Sequence, residues 1–127
     1  DFSFSGLKTA VLYYLNEHRE ASVPDVAASF QEAVVDTLTH KTLKAIKQIN
    51  AKSVILVGGV SANILLRERM SQTILDRFPN VRLHVPEFCY TGDNAVMIAV
   101  AGYYKARSKK FVDPLITQAD PNLRLAV

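Results

Sequence analysis

Residues 53–63 read Ser-Val-Ile-Leu-Val-Gly-Gly-Val-Ser-Ala-Asn, and the fold turns on how that stretch is taken. Val54 to Val57 is an unbroken aliphatic run, the pattern of a strand covered on both faces. Gly58-Gly59 ends it, and a helical pattern follows from Ser61 to about Arg77, with Leu66, Met70 and Ile74 on one stripe. A buried strand turning through glycines into a helix is the repeating unit of α/β layered folds. The turn itself has two readings. Glycines let backbone N–H groups and a helix N-terminus approach an anion without a Cβ in the way, and Asn63 would add a hydrogen bond to a ribose or phosphate. Alternatively Gly58-Gly59 only makes the turn and Asn63 caps locally, since this is neither a Walker loop nor a dinucleotide fingerprint.

Working outward, Pro79-Asn80 breaks the helical pattern, and Val81 to Val85 alternates as a second strand before Pro86. Upstream, Asp25 to about Gln48 carries Val26, Phe30, Val34, Leu38, Ile46 and Ile49 at helix spacing, with Pro24-Asp25 as its start. Lys41, Lys44, Lys47 and Lys52 crowd its C-terminal half, as a solvent face favoured by the helix dipole or as an anion site. Phe2 to Ser5 alternates apolar and polar, which predicts a short strand ended by Gly6. Leu7, Ala10, Val11, Tyr14 and Leu15 then follow one helical face. Near the other end, Asp93 and Asn94 are helix-start residues, and Ala95 to Tyr104 is apolar all round, which predicts a buried helix. Two Asp-Pro steps mark residues 111–127 as an irregular tail.

A chain of 127 residues is one domain's worth, and 49% hydrophobic with 21% charged residues is a globular rather than a disordered mixture. The net charge of +3 admits a polyanionic partner without being the footprint of a dedicated nucleic-acid binder. A lone cysteine, Cys89, rules out an internal disulfide framework and fits a reducing compartment. The apolar run Ala95–Tyr104 is ten residues, too short to span a bilayer, and no signal-peptide layout precedes it. Starting at Asp1 with a patterned segment at once, the chain reads as a piece of a longer one.

Few residues suggest chemistry on local grounds. Asp93 is a helix cap or a carboxylate at a cleft mouth that holds a metal. His84, Cys89 and Asp93 follow no zinc-site spacing, and His18 and His40 have no partner at ligand spacing. Ser3 and Ser5 lack a nucleophile elbow. Lys105, Arg107, Lys109 and Lys110 form a solvated helix end or meet a phosphate backbone.

Three stretches line up in order: Asp1-Phe2-Ser3-Phe4-Ser5-Gly6-Leu7-Lys8-Thr9, Gly58-Gly59-Val60-Ser61-Ala62-Asn63, and Asp93-Asn94-Ala95-Val96-Met97-Ile98-Ala99, with Pro86-Glu87-Phe88-Cys89 before the third. Together they resemble the tRNA N6-adenosine threonylcarbamoyltransferases, the TsaD family, over the C-terminal part of such a protein. The resemblance implies an α/β fold: an incomplete part of an actin/Hsp70-like ATPase built of RNase-H-like lobes, with residues 1–110 in the C-terminal lobe and 111–127 as tail. It implies transfer of a threonylcarbamoyl group from threonylcarbamoyl-adenylate to N6 of adenosine 37 in tRNAs reading ANN codons.

By the same resemblance Asn63, Gly58 and Gly59 bind the adenylate-type ligand, and Asp93 is one ligand of an iron or zinc ion. Expected partners are tRNA, the adenylate, and other subunits of the t6A synthesis complex (an inactive paralogue and an ATPase), in the cytoplasm and away from membranes. Two departures stand out. The family commonly runs Cys-Thr-Asp-Asn, whereas Cys89-Tyr90-Thr91-Gly92-Asp93-Asn94 is two residues longer. The family's His-x-x-x-His pair of metal ligands is missing, so this chain alone is expected to be inactive. The alternative is a non-catalytic scaffold of the same fold, which should lack both Asp93 and the glycine–asparagine turn.

Overall fold

The computed structural model describes residues 3–118 together with Asp120 and Asn122. Its first helix, α1 (Phe4–Glu17), begins where the alternation predicts a strand. Ser3 is extended, and its Oγ accepts the Gly6 N–H at 3.2 Å, so the serine caps a helix and Gly6 sits inside the first turn. Over residues 3–5 of that alternation a satisfied helix end takes the place of a strand, and residue 2 lies outside the described residues.

The second helix, α2 (Val23–Ile49), runs 27 residues. Pro24 lies in the first turn, where its missing N–H costs no hydrogen bond, while Asp25 and Lys47 complement the dipole at opposite ends. Asn50 closes the helix in the left-handed conformation at φ 51°. Chain then enters β1 (Ser53–Ile55), which pairs in parallel with β2 (Arg82–His84) in the register Ser53↔Arg82, Val54↔Leu83, Ile55↔His84. Between the strands comes α3 (Ile64–Arg77), so residues 53–84 form a strand–helix–strand unit.

The core is the buried set Val35, Ile46, Leu66, Met70 and Ile74, where α2 meets α3, with Val54, Leu56 and Leu83 packed against it from the sheet. The two strands therefore offer one face to the helices. Ile55 and Val57 point the other way and are each 68% exposed, which corrects the expectation of a strand covered on both faces. A two-stranded sheet with helices on one side covers every second side chain only. Outside the core, Arg69 of α3 reaches Glu32 at 2.7 Å and Asp36 at 2.5 Å on α2. Its guanidinium pKa is raised, first by the Glu32 hydrogen bond.

The chain divides into two compact units, Asp1–Gly92 and Asp93–Val127. In the second, α4 (Ala95–Arg107) is capped by Asn94, whose Oδ1 accepts the Met97 N–H at 3.2 Å. Lys109 turns left-handed at φ 53°, and the Lys110 N–H returns to the Lys105 carbonyl at 3.0 Å. Ala95–Tyr104 is helical as expected, but none of α4 is buried, so the reading of a buried helix is not met in this chain. All-round apolarity tells what a helix tolerates, not what covers it. Beyond it Asp113 organises a turn, its Oδ1 accepting the Leu115 N–H at 2.9 Å. No helix among the described residues is long and apolar enough to cross a membrane.

Candidate functional site

Gly58 adopts φ +86° and ψ 171°, a backbone region that side-chain-bearing residues essentially do not enter. A Cβ built there meets nothing within 4 Å, so the constraint is the backbone and not space. The turn continues as one 3-10 segment, Gly59–Ala62, closed by Ser61 N–H to Gly58 carbonyl at 2.9 Å and Asn63 N–H to Val60 carbonyl at 3.0 Å. The helix predicted from Ser61 is thus two pieces. Asn63 is extended between them, and α3 proper starts at Ile64.

Asn63 is engaged at both ends of its amide. Its Oδ1 accepts the Leu66 N–H at 2.9 Å, which caps α3, and its Nδ2 donates to Gln31 Oε1 at 2.9 Å. A backbone N–H only donates, so the Leu66 contact fixes which end of the amide is oxygen. One N–H and one lone pair remain for a further partner. Capping and ligand contact, opposed in the sequence reading, are therefore compatible uses of one side chain.

Asn63 opens onto a groove of about 510 Å3 within the first unit. Phe4 and Lys8 enter from α1, Phe30 and Gln31 from α2, and Gly59 and Asn63 from the turn. The lining is mainly apolar, with one ammonium and two carboxamides as its polar points. Such a surface suits a ligand with a flat apolar part and an anionic part. A larger groove of about 580 Å3 lies along α1 and α2, lined by Leu7, Tyr14, Val26 and Phe30, and reaches neither glycine of the turn nor Asn63. The smaller groove is the chemically informative one.

Arg67 holds the far side of the turn. Its Nε donates to the Ser61 carbonyl at 2.5 Å, and its guanidinium carbon stands 4.0 Å over the Phe88 ring. Phe88 belongs to a second 3-10 segment, Phe88–Tyr90, in the loop that precedes Gly92.

Asp93 lies exposed at the head of the second unit, and the cap of α4 is its neighbour Asn94. The capping reading of Asp93 is corrected: the next residue takes that work because its amide oxygen meets the Met97 N–H. Among the described residues no three His, Cys, Asp or Glu side chains form a group that could hold a metal. Structural and catalytic zinc sites take three or four protein ligands, so the donors present do not by themselves fit iron or zinc.

The other candidates have local explanations. His18 caps the end of α1 and stacks 4.5 Å from Tyr14, and Ser3 is a cap. His40 is exposed on α2. Lys105, Arg107, Lys109 and Lys110 are exposed around the end of α4, with Arg107 5.8 Å from the Tyr103 ring. Sequence reasoning missed Lys8 and Gln31 as groove residues. Lys8 stood in the first motif and could have been weighed; Gln31 lies 32 residues from Asn63 and gave no local signal.

Comparison with known proteins bears on this arrangement. The family model for TsaD, tRNA N6-adenosine threonylcarbamoyltransferase, matches residues 1–100. Curated relatives carrying that name include one from Kosmotoga olearia, 46% identical over 125 residues, covering 98% of this chain and 37% of the relative. One from Thermotoga neapolitana is 47% identical over 125 residues, covering 97% and 37%. One from Caldicellulosiruptor saccharolyticus is 51% identical over 109 residues, covering 83% and 32%. The chain thus spans about a third of the length of the relatives it matches.

Proposed function

Because the chain belongs to the TsaD family of tRNA N6-adenosine threonylcarbamoyltransferases, we propose that it is the part of such a transferase that seats the adenylate-type substrate. The observation that supports this most is the groove that joins the first motif to the second, Phe4 and Lys8 facing Gly59 and Asn63. On this reading Phe4 and Phe30 lie against the base, Lys8 faces phosphate charge, and the spare hydrogen-bonding capacity of Asn63 fixes the nucleoside. A volume of about 510 Å3 is within the range of small-molecule sites.

The reaction proposed for the whole protein is attack of the adenosine 37 N6 amine on the carbamoyl carbonyl. A C–N bond forms, the C–O bond to phosphate breaks, AMP leaves with the electron pair, and the amine loses a proton. Tight seating of the AMP portion presents the carbonyl in a fixed place, and no protein nucleophile is required. Asp93 is proposed as one oxygen donor to an iron or zinc ion whose other ligands lie outside the described residues. No step is derived through that ion, and the chain alone is expected to be inactive. The actin-like two-lobed architecture, the tRNA partner, the companion subunits and a cytoplasmic setting belong to the same proposal.

The test is paired calorimetry on the full-length protein with AMP and with a non-hydrolysable threonylcarbamoyl-adenylate analogue. Asn63→Ser keeps a helix cap but loses the amide, and removes about 1–3 kcal/mol, roughly ten- to hundredfold, from both affinities. Asp93→Ala leaves AMP affinity near the parent and weakens only the analogue. Unchanged AMP binding by Asn63→Ser would reduce the glycine–asparagine turn to a turn.

A further inference from the structure

Among the described residues, a side-chain hydrogen bond from Asn63 Nδ2 to Gln31 Oε1, at 2.9 Å, ties the turn to α2. The cap bond from Leu66 holds Asn63 Oδ1 at a single point, about which the amide plane is free to swivel. The Gln31 bond supplies the second point. Gln31 itself stands on a fixed platform: Val35, one turn along α2, is packed in the core with Leu66, and Arg69 grips Glu32 and Asp36, which follow Gln31 on the same helix. Gln31 is exposed and lines the groove, where a long unbranched side chain gains little stability from an exposed hydrogen bond and loses rotamer freedom by making it. A purely structural purpose is a poor explanation for that geometry.

We propose that Gln31 is a positioning residue for Asn63: it fixes the plane of the Asn63 amide so that its remaining N–H and lone pair face the groove. This rests on the reading of the groove as an adenylate seat. The role is indirect in that Gln31 acts through Asn63, and its effect on binding should vanish when the Asn63 amide is gone.

The experiment is a double-mutant cycle on the full-length protein with AMP as the probe, using Gln31→Leu, Asn63→Ser and the double variant, with the melting temperature of each recorded. Gln31→Leu should weaken AMP about five- to tenfold, the worth of one poorly aligned hydrogen bond. Its melting temperature should stay within about 2 °C of the parent, as for a surface substitution. In the Asn63→Ser background the same change should alter AMP affinity by less than about twofold, since coupled residues are non-additive. A structural role would move the melting temperature and leave the two affinity effects independent. If Asn63→Ser weakens AMP and Gln31→Leu does not, or if the two losses multiply, the positioning role is overturned while the adenylate seat stands. If Asn63→Ser leaves AMP binding unchanged, both fall together.

Discussion

Replacing Gly58 and Gly59 separately by alanine should give opposite answers, although the two residues are neighbours of one type. At Gly58 the backbone sits at φ +86° and ψ 171°, where a non-glycine residue costs about 1–3 kcal/mol. At Gly59 no left-handed φ occurs and a Cβ meets nothing within 4 Å, so alanine is accommodated. Both substitutions remove the same flexibility from the unfolded chain, a gain of about 0.4–1 kcal/mol for folding. That gain cancels in the comparison. The difference between the two variants is then the strain alone: Gly58→Ala should be less stable than Gly59→Ala by about 1–3 kcal/mol. Urea unfolding of parent and variants, compared at a common slope, measures it. Equal stabilities, or a more stable Gly58→Ala, would show that the turn does not hold the conformation described.

Three further outcomes follow from packing and charge. Leu66→Ala, at a position 1% exposed, should lose about 2–5 kcal/mol, whereas Leu75→Ala, on the same helix but 64% exposed, should stay within about 0.5 kcal/mol of the parent by thermal unfolding. Arg69→Met should destabilise less at 1 M salt than at low salt, because its carboxylate partners are solvent-accessible. A group whose folded pKa is raised lends its stability fully below the unfolded pKa and loses it only as pH rises through the folded one. For Arg69 that window lies above the alkaline limit of ordinary buffers, so the loss should be the same at pH 7 and pH 9.

Much of this was legible in the residues. The stripe Leu66, Met70 and Ile74 is the buried stripe of α3, and the helical spacing from Asp25 onward runs through Val34 and Ile46, which are buried in α2, although it passes over the more deeply buried Val35 and includes Ile49, which is exposed. Periodicity reports which face of an element is apolar, and that face found cover. It does not report how many layers exist. Ile55 and Val57 read as buried on both sides of a strand, yet among the described residues of the first unit the helices pack on the other face and leave both exposed. Of the short alternation read at Phe2–Ser5, the described residues 3–5 went to a capped helix start because Ser3 satisfies the Gly6 N–H locally. At Asp93-Asn94 two good caps stood side by side, and geometry, not residue type, chose the asparagine. Gly58, Gly59 and Asn63 were named from the sequence, but the groove that gives them company needs Phe4 and Lys8 from one helix and Gln31 from another. Those contacts depend on tertiary folding, which no local pattern encodes.

Where AMP sits is the most direct question to put to the protein. Proton–nitrogen correlation spectra of the full-length protein, recorded through an AMP titration, report it residue by residue. The backbone amides of Gly59, Val60 and Leu66 and the side-chain amides of Gln31 and Asn63 should shift together along one saturation curve, because all five residues line the same groove. The backbone amides of Tyr14 and Ala21, which line the neighbouring groove along α1 and α2, should hold still. Saturable shifts centred on that neighbouring groove, or AMP binding that leaves the Asn63 side chain unmoved, would contradict the adenylate seat.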